Sequence, residues 1–138
     1  MQLPESAREL ILSGAIAHMV TINPDGGPQV SNIWVDVDGD DLISGHFGEY
    51  RKITNIRRDS RVAYSFTAPE PMPNGMHPNL VLYGTAEILE GGAPELVSRL
   101  ALRYVAPDFD YPVPEGRPAG FTIRATIRRI AGVGPWVG

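Results

Sequence analysis

Two runs rich in β-forming residues, 15–22 and 28–37, flank the pentapeptide Asn23-Pro24-Asp25-Gly26-Gly27. That pairing restricts the fold more than any other feature of the chain. Turn-forming residues packed between two strand-like runs specify a hairpin. In the second run Val30, Ile33, Val35 and Val37 are apolar. The alternation therefore slips near Asn32, as at a bulge or in a strand that uses both of its faces. Asp38-Gly39-Asp40-Asp41 is a second turn and leads into a short strand, 42–46. Residues 61–67, 80–89 and 121–132 add three more strands. Gly84 marks a kink or bulge in the second of these, and the last carries Phe121, Ile123, Ala125, Ile127 and, after a slip, Ile130. Helices are few and short. One covers 5–13, with Ala7, Leu10 and Ile11 on one side and Gly14 as a stop; another covers 94–104, with Leu96, Val97, Leu100 and Ala101 at helical spacing. Six strands with turn signals predict a mainly β domain spanning 1–138, a small six-stranded antiparallel barrel.

Charge is distributed unevenly. The formal net charge is -4, which argues against general attraction to nucleic acid or anionic membranes. Yet Arg51, Lys52, Arg57, Arg58 and Arg61 place five of the twelve cationic residues within one eleven-residue stretch, and Lys52 is the only lysine. At helical spacing Ile53 and Ile56 share one side of this segment, while Arg51, Asn55 and Arg58 fall on the other and Lys52 flanks them. A short helix that follows a strand and carries cations and a neutral donor outward suits a phosphate or a carboxylate, because its amides and dipole add to the attraction.

Other chemistry is poorly represented. The chain has no cysteine, so disulfide and thiolate chemistry are excluded, and a cytoplasmic location is the default expectation. The three histidines, His18, His46 and His77, show no metal-ligand spacing, so no metal is expected. His46 directly precedes the basic segment. There is no G-x-S-x-G, G-x-G-x-x-G or Walker pattern. Trp34 reads as core or as a stacking surface for a ring system. Trp136, at the end of the chain after Gly-Val-Gly-Pro, is expected to dock on something, such as a second subunit.

Taken in order, PQVSNIWVDVDGDDL, YRKITNIRRDSRV, GTAEI and a strand ending in IAG resemble the pyridoxamine 5'-phosphate oxidase-like split β-barrels, the FMN-binding split-barrel type. Within them the chain resembles the branch that uses the deazaflavin coenzyme F-420 in place of FMN. The resemblance implies a homodimer with two cofactor sites at the subunit interface. It assigns Lys52, with Arg51 near it, to the cofactor phosphate, and adds contacts from Gly45 and His46. Gln29, Ser31, Asn32, Ile33 and Trp34 would lie along the ring system. Asn55 and Arg58 would support the phosphate or reach toward the coenzyme's anionic polyglutamate tail. Some relatives carry an arginine two residues before the lysine; here Tyr50 holds that position and the arginine is adjacent, so the resemblance assigns Lys52 more sharply than Arg51.

The implied activity is hydride transfer from reduced coenzyme F-420 to a conjugated small organic acceptor. The chemistry belongs to the cofactor, no residue stands out as catalytic, and two Pro-rich loops, 68–79 and 106–118, shape the substrate site. Three alternatives stand beside it: an FMN-dependent flavoprotein of the same fold, a non-catalytic carrier of a flavin, deazaflavin or tetrapyrrole, and a nucleic-acid module built on the basic helix. Net acidity disfavours the last.

Overall fold

A computed structural model describes residues 1–137. The elements run α1 (Glu5–Leu12), β1 (Ala17–Ile22), β2 (Pro28–Ile33), β3 (Asp36–Asp38), β4 (Asp41–His46), α2 (Arg51–Arg58), β5 (Arg61–Thr67), β6 (Asn79–Glu90), α3 (Ala93–Tyr104) and β7 (Phe121–Val133). All strand pairs are antiparallel, and they form one sheet in the order β2-β1-β5-β6-β7-β4-β3.

The sheet has seven strands where six were predicted, because residues 28–37 are two strands rather than one. β2 and β3 occupy opposite ends of the strand order, although only Trp34 and Val35 separate them. Three virtual bonds of about 3.8 Å cannot bring Ile33 and Asp36 further apart than about 11 Å. The end of β2 and the start of β3 are therefore close in space, so the sheet curls and the chain itself spans the gap between its two outer strands, which do not pair. The slip in apolar alternation has its cause here. Val30 is 60% exposed on the outer face of β2, whereas Ile33 and Val35 turn inward.

Met19, Tyr64, Phe66, Leu80, Leu82, Ile123 and Ile127 pack the barrel interior, supplied by alternate residues of their strands. The register shift lies at Tyr83/Gly84, where Arg128 of β7 is the unpaired extra residue. A Cβ on Gly84 would lie 2.0 Å from the Thr126 carbonyl oxygen, so only glycine fits against the bulged strand. The hairpin closes through Asn23 N–H to Gly27 O (2.8 Å) with Gly26 at φ 86°. α1 is tied to the β3–β4 turn by Leu3 N–H and Arg8, which both reach Asp40 Oδ1.

Trp136 departs from expectation. It is 8% exposed, belongs to the core, and donates its indole N–H to Asn79 O at 3.1 Å. Its docking partner is thus β6 of the same chain. No helix among the described residues is long and apolar enough to cross a membrane.

Candidate binding cleft

A cleft of about 260 Å³ lies where the chain crosses between the sheet's two outer strands. Asn32, Ile33 and Trp34 form one side, and the end of β4 with Phe47 forms another. Tyr50 and Lys52 enter from the start of α2, Val97 and Leu100 from α3, and Tyr111 from the loop before β7.

Lys52 is the charged residue of this cleft. The isoleucines Ile53 and Ile56 bury one side of α2 and so aim the lysine at the opening. Its Nζ lies 5.7 Å from the centre of the Tyr50 ring, and no carboxylate among the described residues pairs with it. Partial burial pushes its pKa below the ordinary lysine value. No side chain caps α2, which leaves the positive end of its dipole beside the lysine.

His46 is 6% exposed, and its Nε2 lies 2.8 Å from Ser44 Oγ. Burial, with the charge of Lys52 adding to it, pushes its pKa down to about 3. The imidazole is therefore neutral near pH 7 and can only offer hydrogen bonds there. Asn32 aside, apolar and aromatic groups make up the remaining walls. Trp34 stacks on Tyr104 at 5.4 Å between centroids and 9° between planes. The Tyr104 hydroxyl accepts from Val35 N–H (3.2 Å) and donates to Ala15 O (3.2 Å), which fixes that pair. Tyr111 meets Trp34 edge-on at 6.0 Å and lies nearly parallel to Phe47 at 6.0 Å.

No protein-family profile matches the chain, and no curated protein sequence matches it. Solved structures do. An F-420 reductase is 25% identical, with 94% of this chain and 98% of that one aligned at a TM-score of 0.75. A Listeria innocua protein provisionally named pyridoxamine 5'-phosphate oxidase is 16% identical over 93% and 95%, at 0.66. An FMN-binding protein from Syntrophomonas wolfei is 16% identical over 94% and 85%, at 0.64. The chain shares the split-barrel fold of these proteins.

In this split barrel, six of the eleven residues singled out in the sequence line the cleft: Asn32, Ile33, Trp34, Gly45, His46 and Lys52. Gly45 also seats α3, since a Cβ there would come within 3.0 Å of Val97 Cγ2 and 3.3 Å of Ala93. The other five lie elsewhere. Asn55 was expected on the outward, cationic side of its helix but is 1% exposed. The hairpin end covers that side, and the Asn55 amide donates to Thr21 Oγ1 (3.0 Å) and Asn23 Oδ1 (3.1 Å). Gln29 belongs to the same network, accepting from Thr21 Oγ1 at 2.7 Å. Arg58 turns toward Asn55 Oδ1 and Ile22 O rather than the cleft. Arg51 is exposed and does not line the cleft. Ser31 Oγ is buried without a hydrogen-bond partner among the described residues, also outside the cleft lining.

Sequence reasoning missed Phe47, Tyr50, Val97, Leu100 and Tyr111 as wall residues. Phe47 and Tyr50 flank the basic motif and could have been included on proximity. Val97 and Leu100 were legible only as an apolar helix face, with no sign of where that face would sit. Tyr111 lies in a Pro-rich loop whose path no local pattern encodes.

Proposed function

We propose that this split barrel is an oxidoreductase that binds a phosphate-bearing deazaflavin, coenzyme F-420, in the cleft and reduces a conjugated small organic acceptor. The observation that carries the reading is Lys52: a half-buried lysine with no counter-ion among the described residues, at the uncapped start of a helix, in a cleft walled otherwise by rings, aliphatic groups and the neutral amide of Asn32. An anionic ligand would relieve the desolvation that lowers its pKa. A flat aromatic body would suit Trp34 and its neighbours. The donor set therefore fits a cofactor with one anionic end and one planar end. The 25% identical F-420 reductase supports the deazaflavin; FMN is the runner-up.

When bound and reduced, such a cofactor supplies a hydride, two electrons with one proton, to the acceptor. The protein's part is binding, orientation and exclusion of water. Lys52 would hold the phosphate, with the first amides of α2 adding to it, and Arg51 would contribute only at longer range from the surface. Asn32, Trp34 and His46 would border the ring system, with His46 as a neutral hydrogen-bonding group. His46 is held neutral and so is not an imidazolium acid near neutral pH. The cleft thus lacks a histidine acid, in keeping with chemistry that the cofactor performs.

A homodimer belongs to the same proposal. Val30 and Asn32 share the outer face of β2, and Asn32 also lines the cleft. That face carries apolar groups, Val30 at 60% and Tyr83 at 38% exposure, around a hollow formed with Val20, Ile22 and Ala63. A second copy seated there would bury this surface and border the cleft. The experiment is a turnover assay. Reduced F-420 is incubated with the protein and a panel of quinone and enone acceptors, and loss of the reduced cofactor is followed by absorbance. Acceptor-dependent oxidation supports the reductase; tight binding with no oxidation across the panel favours a carrier instead.

A further inference from the structure

An acid stands three residues before Lys52 and yet does not pair with it. That acid is Glu49, one residue ahead of Tyr50, the N-cap of α2. A carboxylate at such a place is ordinarily drawn to the free amides and positive dipole of the helix start. Here the first turn of α2 holds no acid, and no side chain caps it. Glu49 turns instead to the far end of the helix, where its Oε1 accepts from Arg57 Nη1 at 2.5 Å. The Arg57 guanidinium rests in turn on the Phe121 ring of β7, 5.2 Å from its centre. Five helical positions, about 140° around the axis, separate Arg57 from Lys52, so the ion pair lies on a different side of α2 from the lysine.

Little else decides where Glu49 goes. Among the described residues no amide from Phe47 to Tyr50 donates a backbone hydrogen bond, so side-chain contacts place this segment. The Glu49–Arg57 pair is largely open to solvent, with 57% and 42% of its two side chains exposed, and such a pair adds little to stability. Its value lies in direction rather than strength. The next acid along the chain, Asp59, is already engaged by Arg61. Glu49 is therefore the acid placed to compete with an anionic ligand for Lys52 and the α2 amides, and Arg57 withholds it.

We propose that Arg57 is a positioning residue for the anion site: by drawing the Glu49 carboxylate along the side of α2, it leaves Lys52 and the first amides of that helix open to the ligand's phosphate. This rests on the cofactor assignment above. The test is a double-mutant cycle in the full-length protein, Arg57→Ala, Glu49→Gln and the two combined. F-420 affinity is measured by calorimetry at about 0.15 M salt, where exposed charges more than about 8 Å apart are largely screened. Arg57→Ala is expected to weaken F-420 about threefold to fivefold, the extent to which an exposed pair between Glu49 and Lys52 would occupy the site. Glu49→Gln should restore that affinity in the Arg57→Ala background, yet change it less than about twofold alone. Arg57→Lys keeps the cation and should stay within about twofold of the unaltered protein.

A second readout needs no cofactor. Lys52 is the only lysine, so isotopically labelled lysine gives one side-chain resonance whose pH titration reports this group alone. In Arg57→Ala its pKa should rise toward the ordinary lysine value as the carboxylate joins it, and fall back in the double variant. Equal effects of Glu49→Gln in both backgrounds would reduce Arg57 to a distant charge and overturn this inference, as would a Lys52 titration indifferent to Arg57→Ala. In either case F-420 binding by the unaltered protein leaves the cofactor reading standing. Absence of that binding overturns the cofactor reading and this inference with it.

Discussion

His46 links the cleft to the pH dependence of stability, and the size of the effect can be worked out. In the folded protein its imidazole stays neutral down to about pH 3, against an ordinary value of 6.5 for the unfolded chain. Between those values the unfolded state binds the proton and the folded state does not, so stability falls as pH is lowered from 6.5 and the loss is complete near pH 3. At pH 5 the solution lies 1.5 below the unfolded value, and at about 1.4 kcal/mol per pH unit the cost is about 2 kcal/mol. With an m value of about 2 kcal/mol per molar, the urea midpoint should drop by about 1 M between pH 7 and pH 5 from this group alone. The assay is urea unfolding followed by tryptophan fluorescence at both pH values, for the unaltered protein and for His46→Gln. A glutamine side chain does not titrate, so the variant should lose about 2 kcal/mol less on acidification. Parallel loss in the two proteins would show that His46 is not held neutral by burial and Lys52, and the description of the cleft as uncharged apart from Lys52 would fail with it.

Three further outcomes follow from particular contacts. Asn55→Ala should cost about 2 kcal/mol in urea unfolding, because it removes one buried and one partly buried hydrogen bond and leaves Thr21 Oγ1 and Asn23 Oδ1 without that donor; a cost below about 0.5 kcal/mol would return Asn55 to the surface role expected from its helical spacing. Gly84→Ala should destabilise by about 3 kcal/mol, since its Cβ would overlap the Thr126 carbonyl. An unchanged Tm would mean that the bulge is misplaced. Val30→Glu should convert a dimer to monomers in sedimentation analysis by placing a charge on the apolar outer face of β2; a protein monomeric before substitution would remove the dimer from the proposal.

Much of the barrel was readable because its strands advertise themselves through alternation and its turns through Asn, Asp and Gly. Even the bulge was visible, as a glycine in one strand facing a slip between Ile127 and Ile130 in the next. The break at Trp34 and Val35 was not. A strand that changes sheet edge keeps the same local preferences as one that continues, and only the parity slip near Asn32 hinted at it. The same limit governs the cleft. Lys52 and His46 were legible because they stand beside a motif, yet which side of α2 the hairpin covers is a tertiary fact. It turned Asn55 inward, although its spacing from Ile53 and Ile56 pointed out. Tyr111 depends on the path of a loop, where no periodicity exists to read. Trp136 looked unanchored because its acceptor, Asn79 O, is 57 residues away.

The central claim is that Lys52 receives the phosphate of a deazaflavin in this cleft. Calorimetric titration of the unaltered protein and of Lys52→Ala with F-420, and separately with FMN, tests it most directly. The account predicts micromolar or tighter binding of F-420, weaker binding of FMN, and a loss of about tenfold to a hundredfold in F-420 affinity for Lys52→Ala with an unchanged circular dichroism spectrum. Tight FMN binding without F-420 binding, or equal F-420 affinity in the two proteins, would contradict it.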